Sequence, residues 1–179
     1  MFNKELQPPP QADRIMTTCI YGNTHAHLIQ GELFDLPRIG GKPYFCYVLF
    51  THIGGDSIQK KHAQEFVDRV AKTGAKEVVC FHDDCYAMLT WWAPSYGIKV
   101  PFRAIHFTEY LVEYLEANKD RIKPINMKLA YQRPCASRLS PDKQYFVDEL
   151  FELVGAKRVK RVYDRENALC CAGVKELLG

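Results

Sequence analysis

Short apolar runs alternate with amphipathic segments along this chain, and this alternation predicts its secondary structure. The clearest helix runs from Ile58 to Lys72, where Phe66, Val67 and Val70 recur at helical spacing opposite charged residues. Six apolar or β-branched runs predict strands: Ile15–Tyr21, Tyr44–Thr51, Lys76–Phe81, Ile98–Val100, Met127–Tyr131 and Val159–Tyr163. Further helices are predicted at Cys85–Trp92, Thr108–Asn118, Ser140 to Gly155 and Val174–Leu178. Strands alternating with helices predict an α/β fold with parallel sheets and flanking helices.

The same pattern predicts how the chain is organised. Residues 1–14 are polar and contain Pro8-Pro9-Pro10, which is typical of a mobile N-terminal tail. Residues 15–124 form a first predicted lobe, and residues 125–179 form a second, shorter one. In both, a strand ends near a cysteine, further α/β units follow, and a glycine marks a turn. We therefore expect two pseudo-repeated lobes, the product of a degenerate internal duplication.

Composition narrows the class of protein. Hydrophobic residues make up 47% of the 179 residues and charged residues 25%, which argues against wholesale disorder. The net charge of +3 is mild, so nucleic acid is not an expected partner. The sequence shows neither a secretory signal nor an apolar stretch long enough to span a bilayer, which predicts a cytoplasmic protein. Seven cysteines, an odd number, then favour thiol or metal chemistry over a disulfide framework.

Most of the cysteines follow predicted strands. Cys80 closes one strand and Cys85 lies at the start of the next helix, Cys135 follows another strand, and the pair Cys170-Cys171 follows the last. Sites in parallel α/β sheets form at the carboxyl ends of strands, so these five thiols are predicted to converge on one sheet edge. Thiolates are soft ligands that suit iron–sulfur clusters and zinc. The sequence therefore predicts a metal or metal–sulfur centre.

Simpler interpretations compete at several positions. Cys46 lies inside an apolar run and is interpreted as a core residue, whereas Cys19 fits a core or a ligand role equally well. His82 lies between two candidate ligands and can replace either, although a surface histidine is the simpler interpretation. Vicinal cysteines such as Cys170-Cys171 fit different irons of one cluster better than a single zinc ion. Iron is therefore favoured, and zinc is kept as an alternative.

The spacing of the later cysteines resembles a known family. Cys135, followed after 34 residues by Cys170-Cys171-Ala172-Gly173, is similar to the CCG (cysteine-rich) domain of heterodisulfide reductase subunits of the B and D types and related iron–sulfur proteins. The segment ending at Cys80 and Cys85 resembles the strand that leads into the family's CxxC. Gly54-Gly55 occupies the place of the first repeat's CCG, and Cys19 stands at the matching distance before it.

This resemblance implies a site and a role. Family members bind non-cubane 4Fe–4S clusters through five cysteines, which here implies the ligands Cys80, Cys85, Cys135, Cys170 and Cys171. The implied function is an iron–sulfur redox subunit for electron transfer or thiol–disulfide chemistry, working with other redox subunits or electron carriers and a small thiol or disulfide substrate. One alternative is a zinc-binding or metal-free assembly module of a redox complex. Another is a metal-free thiol oxidoreductase that uses Cys170-Cys171 or Cys80 and Cys85.

Overall fold

The structure, a computed structural model that describes residues 11–170, contains two parallel β-sheets. The larger sheet has four strands in the order β2-β1-β3-β4, and the smaller pairs β5 with β6. The strands are β1 (Arg14–Thr17), β2 (Arg38–Ile39), β3 (Glu77–Cys80), β4 (Arg103–His106), β5 (Lys128–Leu129) and β6 (Lys157–Arg158). All pairings are parallel. The predicted α/β fold is confirmed.

Helices connect and flank these strands. The helices are α1 (Tyr21–Thr24), α2 (Asp56–Ala71), α3 (Asp83–Ala87), a π-helix (Met88–Trp92), α4 (Ala93–Ser95), α5 (Phe107–Ala117) and α6 (Gln144–Leu153). Short 3₁₀ helices occur at Ala26–Leu28, Glu32–Phe34, Lys42–Tyr44, Val48–Ile53, Lys119–Arg121, Ala136–Leu139, Pro141–Lys143 and Arg165–Asn167. The helices predicted around residues 58–72, 85–92, 108–118 and 140–155 are therefore confirmed, whereas the turn predicted at Val174–Leu178 lies outside the described residues.

The four-stranded sheet is buried on both faces, as parallel sheets generally are. Ile15 and Val78 belong to the main hydrophobic core, while Met16 and Val79 alternate with them along the strands and are also fully buried. Helix α2 adds the fully buried Phe66, whose side chain alone contributes about 1.5–3 kcal/mol by leaving water. Burial of apolar side chains on both faces thus stabilises the sheet and holds the carboxyl ends of its strands in place.

An ion-pair ladder marks the register at the opposite, amino end of the sheet. Glu77 is the partner of Arg14 on β1 and of Arg103 on β4. Arg14 Nε donates to Glu77 Oε2 over 2.7 Å, and Arg103 donates to Oε1 over 3.0 Å. The Arg14 hydrogen bond is the main cause that lowers the pKa of Glu77. A one-residue slip of β3 would separate all three charges.

Three predicted strands are wrong. Tyr44–Thr51 is not a strand but two 3₁₀ segments, because Tyr47 takes a left-handed conformation with φ of 59° that no strand accommodates. Ile98–Val100 lies outside any strand, since Pro101 lacks the N–H that a ladder needs and pairing begins only at β4. Val159–Tyr163 is displaced to β6, and Val162 is 83% exposed. In each case the strand was predicted from a run of apolar residues, which does not by itself show that the backbone pairs with a neighbouring strand.

The chain divides into two compact units, one up to Phe107 and the other from Thr108. The first unit contains the four-stranded sheet with α1 to α4, and the second contains β5, β6 and α6. The predicted lobes 15–124 and 125–179 and the internal duplication stay predictions, and most of the predicted tail lies outside the described residues. Over residues 11–170, none of the helices has the length and apolar character needed to cross a membrane.

Arg158 anchors the second unit. Its guanidinium donates to both carboxylate oxygens of Asp164, over 3.1 and 2.7 Å, and to Asp148 of α6 over 2.9 Å. It also lies over the rings of Tyr131 and Phe151, at 5.6 and 5.9 Å from their centroids. The Arg158 contact lowers the pKa of Asp164 from 3.8 to about 2. The Arg158 guanidinium therefore joins β6 to α6 and to the loop that follows β6.

We expect Arg158→Lys to destabilise the second unit, because an ammonium group cannot reproduce the two-pronged contact. The expected loss in the free energy of unfolding is about 1.5–3 kcal/mol, the range for hydrogen bonds to charged groups, measured by urea denaturation. Asp164 contributes stability that is fully present above its unfolded pKa and is lost as the pH falls from about 4 towards 2. The wild type should therefore lose this increment over that range, while Arg158→Lys shows a smaller loss. Equal acid sensitivity in both proteins would contradict the assignment.

Candidate metal centre

Four thiol and imidazole side chains of the first unit meet at the carboxyl ends of its strands. Cys19, Cys46, His82 and Cys85 each offer one donor atom, and these atoms all lie within 4.8 Å of one another. Cys19 follows β1, Cys46 follows β2, and His82 and Cys85 follow β3. The three strands are neighbours in the sheet order β2-β1-β3. The metal-centre group, as these four residues are called below, therefore lies where parallel α/β sheets usually build sites.

Cys19 is held by a tight backbone contact between β1 and the loop after β2. Its φ of 49° is left-handed, and its carbonyl accepts a hydrogen bond from the Gly41 N–H over 2.7 Å. A Cβ added at Gly40 would lie 2.9 Å from that same carbonyl oxygen. Glycine is thus required at position 40 for the two segments to approach this closely. Backbone strain at Cys19 is offset by the surrounding hydrogen bonds, a pattern common at functional sites.

The other three members are placed by a loop and by a helix start. Cys46 lies between the 3₁₀ helices Lys42–Tyr44 and Val48–Ile53 and immediately precedes the left-handed Tyr47. His82 is the residue before α3, and its carbonyl accepts the N–H of Cys85 over 2.9 Å. This turn brings two side chains three positions apart onto the same side of the chain. The Tyr21 ring packs edge-on against the His82 ring, with centroids 4.9 Å apart.

The spacing of the donor atoms fits one tetrahedral ion. At a zinc–sulfur distance of about 2.3 Å, tetrahedral geometry separates two sulfurs by about 3.8 Å, which is compatible with donors within 4.8 Å of one another. Thiolates that bind different irons of a cluster are held further apart by the cluster itself. Cys19, Cys46 and Cys85 are at most 2% exposed, so an ion here would be closed off from solvent. Closed four-ligand sites are the structural kind of zinc site.

The members of the metal-centre group shift one another's pKa values. Hydrogen bonds from Cys46 and Cys85 lower the pKa of Cys19, outweighing burial. The same contacts with Cys19 raise the pKa of Cys46 and of Cys85. Burial acts to lower the pKa of His82, but the neighbouring Cys19 and Asp84 raise it overall. Among the three thiols, Cys19 is thus the one whose ionised form its neighbours favour, and metal binding requires the remaining thiols to lose their protons.

A carboxylate stands behind the imidazole. Asp84 Oδ2 lies 3.7 Å from Nε2 of His82, and its other oxygen lies 3.7 Å from Nε2 of His52. The opposite ring nitrogen of His82, Nδ1, is buried and makes no hydrogen bond within residues 11–170. A neutral imidazole that keeps its proton on Nε2, facing Asp84, leaves the Nδ1 lone pair for a metal. With Nε2 on the side of Asp84, Nδ1 is the ring nitrogen left available to a metal, and Asp84 is the carboxylate placed to orient the ring.

We expect Asp84→Asn to weaken metal binding by about 10–100-fold, the usual cost of removing a carboxylate behind a metal-bound histidine. The measurement is competition with a chromophoric chelator at neutral pH. Asp83→Asn is the matched control, because Asp83 lies in the same helical turn but faces His106 at 3.3 Å. That variant should lose stability while keeping its metal affinity. An affinity in Asp84→Asn equal to the wild type would show that the carboxylate has no orienting role.

The remaining predicted ligands lie in other settings. Cys80 is buried and outside the metal-centre group, its thiol lies 3.7 Å from the Val78 carbonyl, and burial is the main cause that raises its pKa. Cys135 and Cys170 belong to the second unit, with their Sγ atoms 3.5 Å apart. Cys171 lies outside the described residues. The predicted five-thiol ligand set thus stays a prediction, and the structure brings together Cys85 with three other residues and Cys135 with Cys170.

Comparison with known proteins gives partial similarity to one enzyme. Over 82 residues, 45% of the chain, it is 33% identical to the D-type subunit of the dihydromethanophenazine:CoB–CoM heterodisulfide reductase of Methanosarcina barkeri. It is 29% identical over 82 residues to the corresponding subunit of Methanosarcina mazei. The chain spans about a fifth of the length of these relatives. No protein-family profile matches the sequence. No solved structure matches it either.

Sequence reasoning missed part of the metal-centre group. Cys46 is buried as expected, but it is also a member of the group. Its role was hidden because the apolar run around it was interpreted as a strand. His82 was interpreted mainly as a surface residue, although its position three residues before Cys85, close enough for both side chains to reach one ion, was the available signal. Cys19, left open between core and ligand, is assigned to the group.

Proposed function

We propose that this protein is a metal-binding component of an oxidoreductase of the heterodisulfide-reductase type. The observation that carries the proposal is the metal-centre group, three cysteines and one histidine within 4.8 Å at the strand ends of the first unit. The partial similarity to the heterodisulfide reductase subunits of the two Methanosarcina species supports the redox setting. In this proposal, other redox subunits or electron carriers are its partners and a small thiol or disulfide is the substrate of the assembly.

The group fits a single zinc ion. Thiolates of Cys19, Cys46 and Cys85 and Nδ1 of His82 supply the donor set, which matches the common three-cysteine, one-histidine zinc sites. When bound, zinc supplies folding free energy and no redox chemistry of its own. The residues themselves contribute the preformed cage: the left-handed Cys19 and Tyr47 and the start of α3 fix the donors before any ion arrives. The proposed role of the zinc ion is therefore to stabilise the fold of the first unit.

An iron–sulfur centre in the second unit is the second candidate. The observation that favours it is the approach of Cys135 and Cys170 to 3.5 Å on the loops that follow β5 and β6. Both are more accessible than the cysteines of the first unit. Cys171 completes a set of three thiols, and a cluster of the 4Fe–4S type is the proposed occupant. Cys85 is assigned to the zinc site, and Cys80 stays outside both sets.

Metal analysis of anaerobically purified protein tests both candidates. We expect one zinc per chain, together with iron and acid-labile sulfide and an electron paramagnetic resonance signal after reduction. Cys171→Ser should lose iron and sulfide but keep zinc. Protein that binds neither zinc nor iron would overturn the proposal as a whole. Zinc without labile sulfide would leave the zinc site standing and remove the iron–sulfur candidate.

A further inference from the structure

The described cysteines differ sharply in accessibility. Cys19, Cys46, Cys80 and Cys85 are buried, and these make up all the cysteines of the first unit. In the second unit Cys135 is half-buried and Cys170 is exposed. A dissolved disulfide reacts with a thiolate that it can reach, so burial protects the first unit from exchange. Any thiol–disulfide chemistry with solution molecules must therefore take place in the second unit.

The two accessible thiols are already in contact. Their Sγ atoms are 3.5 Å apart, and a disulfide bond of about 2.05 Å needs a further approach of about 1.5 Å, which loop residues can make. We propose that Cys135 and Cys170 form a reversible dithiol–disulfide site that exchanges with low-molecular-weight disulfides. This pairing differs from a bond between the neighbours Cys170 and Cys171, which would be strained.

Side chains hold the two thiol loops together independently of the sulfurs. Gln132 Nε2 donates to the Leu169 carbonyl over 2.7 Å. Arg138 donates to the carbonyls of Ala168 and Glu166, the latter over 3.4 Å. These bonds connect residues 132–138 with residues 166–169 on either side of the pair. They raise the effective concentration of one thiol at the other, which favours an intramolecular bond over a mixed disulfide with solvent molecules.

Two arginines close to Cys135 in the sequence hold its loop in place. Arg133 and Arg138 lie within three residues of Cys135. Arg133 donates to the Ser137 carbonyl over 2.8 Å, which keeps its guanidinium in the same loop as the thiol. Arg138 donates to the Glu166 carbonyl over 3.4 Å, on the segment that leads to Cys170. The loop that carries Cys135 is therefore held by contacts that do not involve its sulfur.

The proposed reaction balances without an added electron carrier. The Cys170 thiolate, the more exposed of the two, attacks one sulfur of a small disulfide, and the other half leaves as a thiolate that takes up a proton. The Cys135 thiolate then attacks Sγ of Cys170 in the mixed disulfide, and the second half leaves as a thiol. The protein dithiol is oxidised to a disulfide while the small disulfide is reduced to two thiols. A dithiol reductant reverses the sequence.

This inference does not depend on the zinc site and differs from the iron–sulfur candidate, which uses the same thiols as ligands. A bound cluster would occupy both sulfurs, so exchange belongs to the iron-free protein. Loss of the iron–sulfur candidate in metal analysis would leave the dithiol site untouched. Conversely, failure of exchange in iron-free protein would remove only the dithiol site. The two ideas are therefore distinguishable by separate measurements.

The test uses the full chain, freed of iron with a chelator under reducing conditions and verified by metal analysis. The protein is incubated with glutathione disulfide, quenched with acid and mapped by mass spectrometry without reduction. We expect a Cys135–Cys170 cross-link in the wild type, with both glutathione halves released. In Cys135→Ser, the second release should slow on the order of a hundredfold, because the resolving thiol no longer benefits from its high effective concentration. Glutathione should then remain on Cys170.

Cys80→Ser serves as the control, because it removes a buried thiol outside the pair and should leave cross-linking unchanged. Far-ultraviolet circular dichroism checks that each variant is folded. The disulfide map of the wild-type protein tests the proposal even if a variant fails to fold. A cross-link between Cys170 and Cys171, a stable glutathione adduct on the wild type, or no reaction would each overturn the proposal.

Discussion

Cys85→Ala is expected to abolish metal retention by the first unit. Cys85 is fully buried and supplies one of the four donors of the metal-centre group. Removing a direct ligand should cost more than the roughly 100-fold limit for residues behind the ligands. The site would also become three-coordinate and open to competing water. The purified variant should contain less than a stoichiometric amount of zinc and lose the rest during dialysis against a chelator.

Stability should fall along with affinity. A ligand that binds the folded state alone stabilises it by an amount set by its affinity, so a 100-fold loss corresponds to about 2.7 kcal/mol. The expected result is a lower melting temperature for the first unit, measured by circular dichroism with and without added zinc. Added zinc should raise the melting temperature of the wild type but not that of the variant.

Cys80→Ala is the matched control for this prediction. It deletes a thiol that is equally buried and lies just ahead of the same helix, but that thiol is outside the metal-centre group. Cavity formation should lower its stability without changing its zinc content. If both variants keep zinc, the assignment of Cys85 fails. If both lose it, the loss reflects general unfolding and not a missing ligand.

Gly40→Ala is expected to have the second largest effect, through the backbone that positions Cys19. The new Cβ would lie 2.5 Å from Thr18 Oγ1 and 2.9 Å from the Cys19 carbonyl oxygen. Because the second contact is with backbone, the chain itself must move. Overpacking of this kind costs about 1–3 kcal/mol. The displaced Cys19 should also weaken zinc binding by at least about tenfold, since ligand distances tolerate only about 0.2 Å.

Gly22→Ala separates crowding from displacement of the ligand. A Cβ at Gly22 would lie 2.4 Å from Thr18 Oγ1, and its close contacts are with the Thr18 side chain alone. It should reduce stability while changing zinc affinity much less than Gly40→Ala does. Denaturation midpoints and chelator competition on the two variants give the comparison. Equal affinities in both would show that the contact between Gly40 and Cys19 does not control the site.

Whether a secondary-structure element was predicted correctly depended on the kind of sequence pattern behind the prediction. The helix around residues 58–72 was predictable because its 3.6-residue apolar period is a local property that survives in α2. The apolar run Tyr44–Thr51 carries no such period, and tertiary contacts turned it into two 3₁₀ segments on either side of the left-handed Tyr47. A short apolar run indicates that a segment is buried, but it does not indicate which backbone hydrogen bonds the segment makes. Strands and buried 3₁₀ segments therefore cannot be told apart from such runs.

Local patterns were enough to predict that most of the cysteines follow strands and that the sheets are parallel, because both depend on short apolar runs and on connections of fixed handedness. The resemblance through Cys135 and Cys170-Cys171 also came from spacing alone. Which donor atoms meet became known from the three-dimensional arrangement of the strands. Cys19, Cys46 and Cys85 lie far apart along the chain and approach because β2, β1 and β3 are neighbours in space. Strand order is a non-local property set by the packing of the whole sheet, so no local pattern in the sequence records it.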